Sequence, residues 1–102
     1  MTKRYLVVYA KCVGSNFSGH APDLPGCVSV GDTLDEMNAM MREAIEFHME
    51  GMVEDGETIP EPATMNVQLN ADDFEGVEYF VVQKLEVNVP ALAQTRDSFR
   101  AA

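Results

Sequence analysis

Basic residues are scarce in this chain. Seven Lys and Arg stand against seventeen Asp and Glu, a net charge of −10 over 102 residues. Such a balance repels phosphate backbones and favours basic partners. Long apolar runs are also missing: nothing approaches the roughly 20 residues of a membrane span, and the opening MTKRY has no signal-peptide core. A soluble cytoplasmic protein is the expectation. Cysteine is limited to Cys12 and Cys27, which show no metal-ligand spacing. Both read as small buried or half-buried thiols, with no disulfide and no metal site. No phosphate-cradling glycine loop and no internal repeat occurs, and no cofactor is expected.

What remains is a chain of one-domain size, spanning 1–102, with a core from 4 to 89 and a short tail from 90 to 102. Its hydrophobic content of 46% is that of a folded protein. Arg4 to Lys11, RYLVVYAK, is apolar almost without interruption and reads as a central strand covered on both faces. Turn residues at Gly14–Asn16 predict an antiparallel return over Phe17 to Ala21, where Gly19 marks a bulge or a close backbone approach. PDLPGCVSVGDT follows. Pro22 and Pro25 cannot donate ladder hydrogen bonds and end that strand. Gly26 lets the backbone re-enter the sheet with Cys27 to Val30, and Gly31 and Asp32 stop it again.

Thr33-Leu34-Asp35-Glu36 fits a capping box, which predicts a helix from about Leu34 to Asp55 with Gly56 as its left-handed stop. Leu34, Met37, Met41, Ala44, Ile45, His48, Met52 and Val53 recur at intervals of three and four and form its core face. Gly51, inside the helix, predicts close packing against the sheet. The extended connector ETIPEPA follows, with a short strand expected over Met65 to Leu69 and an acidic loop over Asn70 to Gly76. Val77 to Val89 is the second strong strand, ended by Pro90. One or two helical turns are expected within Ala91 to Ala102. The fold class is therefore α+β, a mainly antiparallel β-β-β-α-β sheet with one long helix packed on it.

Charge is distributed unevenly along this scaffold. Ten carboxylates against Arg42 alone lie between Asp32 and Glu61, whereas Met1 to Lys11 holds Lys3, Arg4 and Lys11 and no acid. Glu36, Glu43, Glu46, Glu50 and Glu54 fall off the apolar stripe and are the candidate partner-binding carboxylates, with Asp23 in the loop. His20, Asp23 and Cys27 are the one sequence cluster of base, acid and nucleophile types, a conceivable hydrolase. Against it, Cys27 lies in an apolar strand rather than at a helix N-terminus. A nuclease of the ribonuclease H type needs first-strand acids to hold its metal ions, and this first strand has none. Binding is the expected role, not catalysis.

Three punctuating motifs occur in order: Pro22-Asp23-Leu24-Pro25-Gly26-Cys27, then Gly31-Asp32-Thr33 opening the helix, then Gly56 followed by Ile59-Pro60 after it. In this order and spacing the chain resembles the HicB antitoxin family from about Tyr5 to Pro62. The resemblance implies a degraded, partial ribonuclease H-like fold without metal catalysis. It also implies a partner: a small basic messenger-RNA-cutting toxin of the HicA type, whose RNA face an acidic binder would cover. The alternatives are a stand-alone regulatory module of the same fold with no toxin partner, or a residual hydrolase using His20 and Asp23.

A sheet covered by a single helix leaves a face or an edge open, so a dimer or a higher even assembly is expected. Family antitoxins commonly carry a C-terminal ribbon-helix-helix or helix-turn-helix module, and 91–102 is too short for either. Arg96 and Arg100 are too sparse to replace one. In a mobility-shift measurement at physiological salt, the protein alone should therefore leave operator DNA unretained.

Overall fold

The computed structural model describes residues 1–70, 72 and 75–90. Its elements are β1 (Thr2–Cys12), β2 (Phe17–His20), β3 (Val28–Gly31), α1 (Leu34–Glu54) and β4 (Val77–Asn88). All pairings are antiparallel, and the strands stand in the order β3-β2-β1-β4. This is the expected α+β arrangement. The turns expected over Ala91 to Ala102 lie outside the described residues. The strand expected over Met65 to Leu69 does not form. β1 already has a neighbour on each side, and this segment has no ladder partner among the described residues, with Met65 mostly exposed.

β1 is central, as its composition requires, and Tyr5 to Tyr9 are all buried. Its two faces are nevertheless covered differently. Tyr5, Val7 and Tyr9 point to α1 and join a core with Phe17, Leu24, Leu85 and Val87. Leu6, Val8 and Ala10 alternate onto the opposite face, which carries no helix among the described residues. Leu6 and Val8 are also buried, as expected of a central strand covered on both faces.

Local chemistry sets the ends of α1. Thr33 adopts extended backbone angles and its hydroxyl accepts from the Glu36 amide at 3.1 Å. Glu36 reaches back to accept from the Asp32 amide at 3.4 Å, one residue earlier than an ideal box. At the other end Gly56 has φ +79°, its amide donates to the Val53 carbonyl, and the Glu57 amide donates to the Met52 carbonyl. That pair of bonds is a Schellman stop.

The buried stripe of α1 is Met37, Met41, Ile45, Met49 and Val53, in steps of four. Burial of five such side chains stabilises the fold by on the order of 10 kcal/mol relative to the extended chain. The stripe differs in part from the one read off the sequence. Leu34 is exposed, His48 and Met52 are half-buried at the margin, and Met49 lies at the centre. The helix meets the sheet along a narrow line rather than a broad face, so the i+4 ridge wins over its i+3 neighbours.

Gly31 brings that ridge close. A Cβ added there would stand 2.7 Å from the Met37 amide nitrogen, so only glycine lets β3 pass the first helical turn. Gly19 plays the same part beneath the Tyr9 ring, at 2.6 Å. The close approach expected of Gly51 is not present, since a Cβ there meets no atom within 4 Å. These facts give two glycine substitutions opposite signs. Gly51→Ala should stabilise by up to about 1 kcal/mol through helix propensity. Gly31→Ala should destabilise by roughly 1–3 kcal/mol, because backbone must shift. Chemical denaturation of both variants checks the pair.

Candidate functional site

The PDLPGC segment resolves into two consecutive tight turns. The Leu24 amide donates to the Ala21 carbonyl at 3.0 Å, and the Cys27 amide donates to the Leu24 carbonyl at 3.0 Å. Pro22 and Pro25 each occupy the second position of a turn, where a fixed φ is favourable, and Gly26 supplies the φ of +86° that the second turn needs. Leu24, between them, is buried and anchors the loop to the core.

This loop captures the connector that leaves α1. The Asp23 carboxylate accepts from the Ala63 amide at 3.0 Å, from the Thr64 amide at 3.1 Å and from the Thr64 hydroxyl at 2.6 Å. Tyr5 donates its hydroxyl to the Pro60 carbonyl, Ile59 packs against the core, and Lys3 forks onto Glu61 at 2.7 and 2.8 Å. Burial of Tyr5, with the nearby charges of Glu61 and Asp23, pushes its pKa up to about 12, so it is a neutral donor at any physiological pH. Asp23 and Pro60, far apart in sequence, thus belong to one clamp. Asp23 spends its acceptor capacity inside the molecule.

The helix carboxylates divide by what they touch. Glu36 serves the N-terminal cap. Glu46 accepts from the Asn88 amide at 2.8 Å, at the end of β4. Glu43, Glu50 and Glu54 are exposed and carry no ion pair among the described residues. Amid them stands Phe47, 75% exposed. With Ala39, Arg42, Glu43, Glu46 and Glu50 it lines a shallow depression of about 370 Å³. Arg42 is turned away from the acids, its Nε donating to the Glu86 carbonyl at 3.1 Å. On the other side Phe47 borders a groove shared with Pro25, Gly26 and His48 of the loop and helix.

Phe47 was absent from the reading of the sequence. The signal was available: it lies about 200° around the helix from Ile45, and acids at i−4, i−1 and i+3 surround it. A large apolar side chain at the centre of the polar face satisfies no folding requirement of α1.

The cluster of His20, Asp23 and Cys27 does not assemble into a catalytic site. Cys27 belongs to the buried core, and burial pushes its thiol pKa up, away from the thiolate a nucleophile needs. His20 is exposed on the helix-free face, paired across the ladder with Val28. Asp23 is held by Thr64. Among the described residues no three His, Cys, Asp or Glu groups converge as metal ligands, and no helix is long and apolar enough to cross a membrane.

A four-stranded antiparallel sheet under one helix, with that helix's acidic face outward, matches a known architecture. The family model of the HicB-like antitoxins of bacterial toxin–antitoxin systems matches residues 5–99. The chain belongs to this family. A chain of the HicA3 and HicB3 toxin–antitoxin complex superposes with a TM-score of 0.63 at 24% identity, covering 86% of this chain and 99% of that one. The N-terminal domain of the Burkholderia pseudomallei antitoxin HicB does so with a TM-score of 0.59 at 27% identity, over 88% of this chain and 99% of that domain. In sequence the chain is 34% identical, over 93% of its length and 83% of the relative's, to an uncharacterized 14.9 kDa protein of the rep–hol intergenic region of Haemophilus phage HP1 (strain HP1c1).

The clamp carries a pH signature. Burial raises the Asp23 pKa, but the hydrogen bonds from the Thr64 hydroxyl and the Thr64 and Ala63 amides outweigh it, and the net shift is below the ordinary 3.8. A depressed pKa in the folded state means stability that is present above 3.8 and lost as pH falls through the lower folded value. Asp23→Asn should therefore melt below the parent at neutral pH. The gap should close as the pH drops below about 3.8. Parallel thermal melts across that range provide the check.

Proposed function

We propose that the protein neutralises a small basic ribonuclease of the HicA type by binding it, without catalysis of its own. The observation that carries this reading is Phe47, exposed at the centre of Glu43, Glu46 and Glu50 on the outer face of α1. Exposed aromatic anchors ringed by charge are a common form of protein-docking site: the ring fills a pocket, and the charges steer the encounter and set the register. A toxin surface built to hold RNA is basic, and carboxylates spaced along one helix present negative charge where phosphates otherwise sit. Family membership and the likeness to a toxin–antitoxin complex support the same partner. The buried thiol of Cys27 and the separate placement of His20 speak against a hydrolase.

Within this surface Glu43 and Glu50 are the steering charges. Glu46 is partly committed to the Asn88 amide, and Asp23 to its clamp, so both act on binding through the fold. The two kinds of contact separate kinetically. Glu43→Gln with Glu50→Gln should slow association with a HicA-type toxin and flatten its salt dependence, leaving the melting temperature within a degree or two of the parent. Phe47→Ala should leave association nearly unchanged and speed dissociation by about 30-fold, as expected for a hot spot of about 2 kcal/mol. Stopped-flow binding across a salt series measures both. If all three side chains can be removed with no change in either rate, the toxin does not bind on this face.

A further inference from the structure

Gly51 stands apart from the other glycines of the chain. Each of the other six either has a positive φ or lies where a Cβ would collide with a neighbour. Gly51 has neither reason. It sits in the interior of α1, where glycine is the poorest helix former after proline. A Cβ added to it meets no atom within 4 Å among the described residues. Nothing described within the chain requires its side chain to be missing.

The open space over Gly51 belongs to a groove of about 650 Å³ between α1 and the PDLPGC turns. Phe47, Gly51 and Asp55 follow one another in steps of four, so they form a single row that runs along α1 to its C-cap. Met52 lies beside this row, and the exposed Pro25 and Gly26 form the opposite bank. The row is graded. An exposed aromatic ring stands at one end, bare backbone in the middle, and a carboxylate at the other end, where Glu57 joins it. Asp55 and Glu57 are exposed and form no ion pair among the described residues. Neither Lys nor Arg lines the groove, whose remaining ionisable groups are the half-buried His48 and the buried thiol of Cys27. The last turn of α1 holds no basic residue either, so the negative end of the helix adds to the two carboxylates.

We propose that this groove receives one long cationic side chain, an arginine or a lysine, of a basic partner protein. Its apolar stem lies over Gly51, between Phe47 and Met52 on one side and Pro25 on the other, and its charged end meets Asp55 and Glu57. The source of that side chain, a HicA-type toxin, rests on the function proposed above; the preference of the groove does not. Other occupants fit the gradient worse. A purely apolar side chain would take water from two carboxylates and return no hydrogen bond, and an acidic one would meet like charge. Lysine and arginine bury their methylenes on apolar surface and keep the charged head among polar groups. Gly51 makes the room, because any side chain at that position would stand where the stem lies. Phe47 separates this groove from the depression of Glu43, Glu46 and Glu50, so its ring serves as a wall to both.

The test begins with a defined probe and needs no toxin. In an NMR titration followed on backbone amides, the capped tripeptide Gly-Arg-Gly should shift Gly26, Phe47, Gly51 and Asp55 and saturate with a Kd on the order of 1–10 mM. The same peptide with norleucine in place of arginine keeps an apolar stem without the charge, and should bind at least about tenfold more weakly. Gly51→Leu fills the groove and Gly51→Ala narrows it. Both should melt at or above the parent's temperature, while affinity for the arginine peptide falls by about tenfold or more for Leu and by less for Ala. A purely structural role for Gly51 cannot give binding lost together with stability kept or gained. Asp55→Asn with Glu57→Gln should also lose the peptide. Shifts that scatter over the acidic surface without saturating, or a Gly51→Leu variant that binds as the parent does, overturn the proposal. Equal binding of the norleucine peptide overturns the cationic occupant and the proposal with it. A HicA-type toxin then tells this inference from the function it rests on. A toxin that binds the parent and loses affinity for Gly51→Leu supports both. Equal affinity for parent and variant overturns the toxin as the source of the side chain. A toxin that binds neither removes the proposed function and leaves the preference measured with the peptide standing.

Discussion

Everything else in this molecule depends on one ridge: Met37, Met41, Ile45, Met49 and Val53, laid on Tyr5, Val7 and Tyr9 of the central strand. The ridge is narrow, so the rotation of α1 about its own axis is fixed. Once that rotation is fixed, so are the side chains facing water. Phe47 and its acids point outward because Ile45 and Met49 point inward. Three methionines suit such a seat, since their flexible thioethers fill the uneven gap between a round helix and a twisted sheet.

The same ridge requires a close approach at one end and a polar bridge along its flank. Gly31 lets the third strand pass beneath the first helical turn. Asn38, in the second turn, accepts from the Tyr9 hydroxyl at 2.8 Å and also from the Gln83 amide. Burial is the main reason the Tyr9 pKa rises to about 12, with Gln83 and Arg42 opposing the rise. The bridge gives the tyrosine's polar end a partner and ties helix, central strand and edge strand together. No buried side-chain polar atom among the described residues is left unpaired.

The placement of α1 has a functional corollary. Among the described residues α1 covers one face of the sheet and presents its own acidic face to solvent, while Val28, Val30 and Val82 are exposed on the other side of the sheet. The clamp of Asp23 on Ala63 and Thr64 adds a third element by leading the chain away from the end of α1 along a fixed path. Its hydrogen bonds involve an ionised carboxylate and are the stronger for it.

Much of this was legible in the sequence because it is local. Strand alternation, the Thr33 cap, the Gly56 stop and the turns around Pro22, Pro25 and Gly26 are determined by residues within four or five positions of one another, and the punctuation was enough to reveal the family. Tertiary structure alone decided what depends on residues far apart. The periodicity put His48 on the core face and passed over Met49, and only contact with the sheet seated Met49 there instead. Gly51 and Gly31 are equal as letters, yet only the position of Met37 gives Gly31 its need for a missing side chain. Asp23 and the acids of α1 are likewise indistinguishable as charges in a list. The fold brings Thr64 to one and the Asn88 amide to another, leaving Glu43 and Glu50 without an ion pair among the described residues beside Phe47, because a carboxylate's role is set by the donors within about 3 Å of it, and the chain path brings those from 41 and 42 residues away.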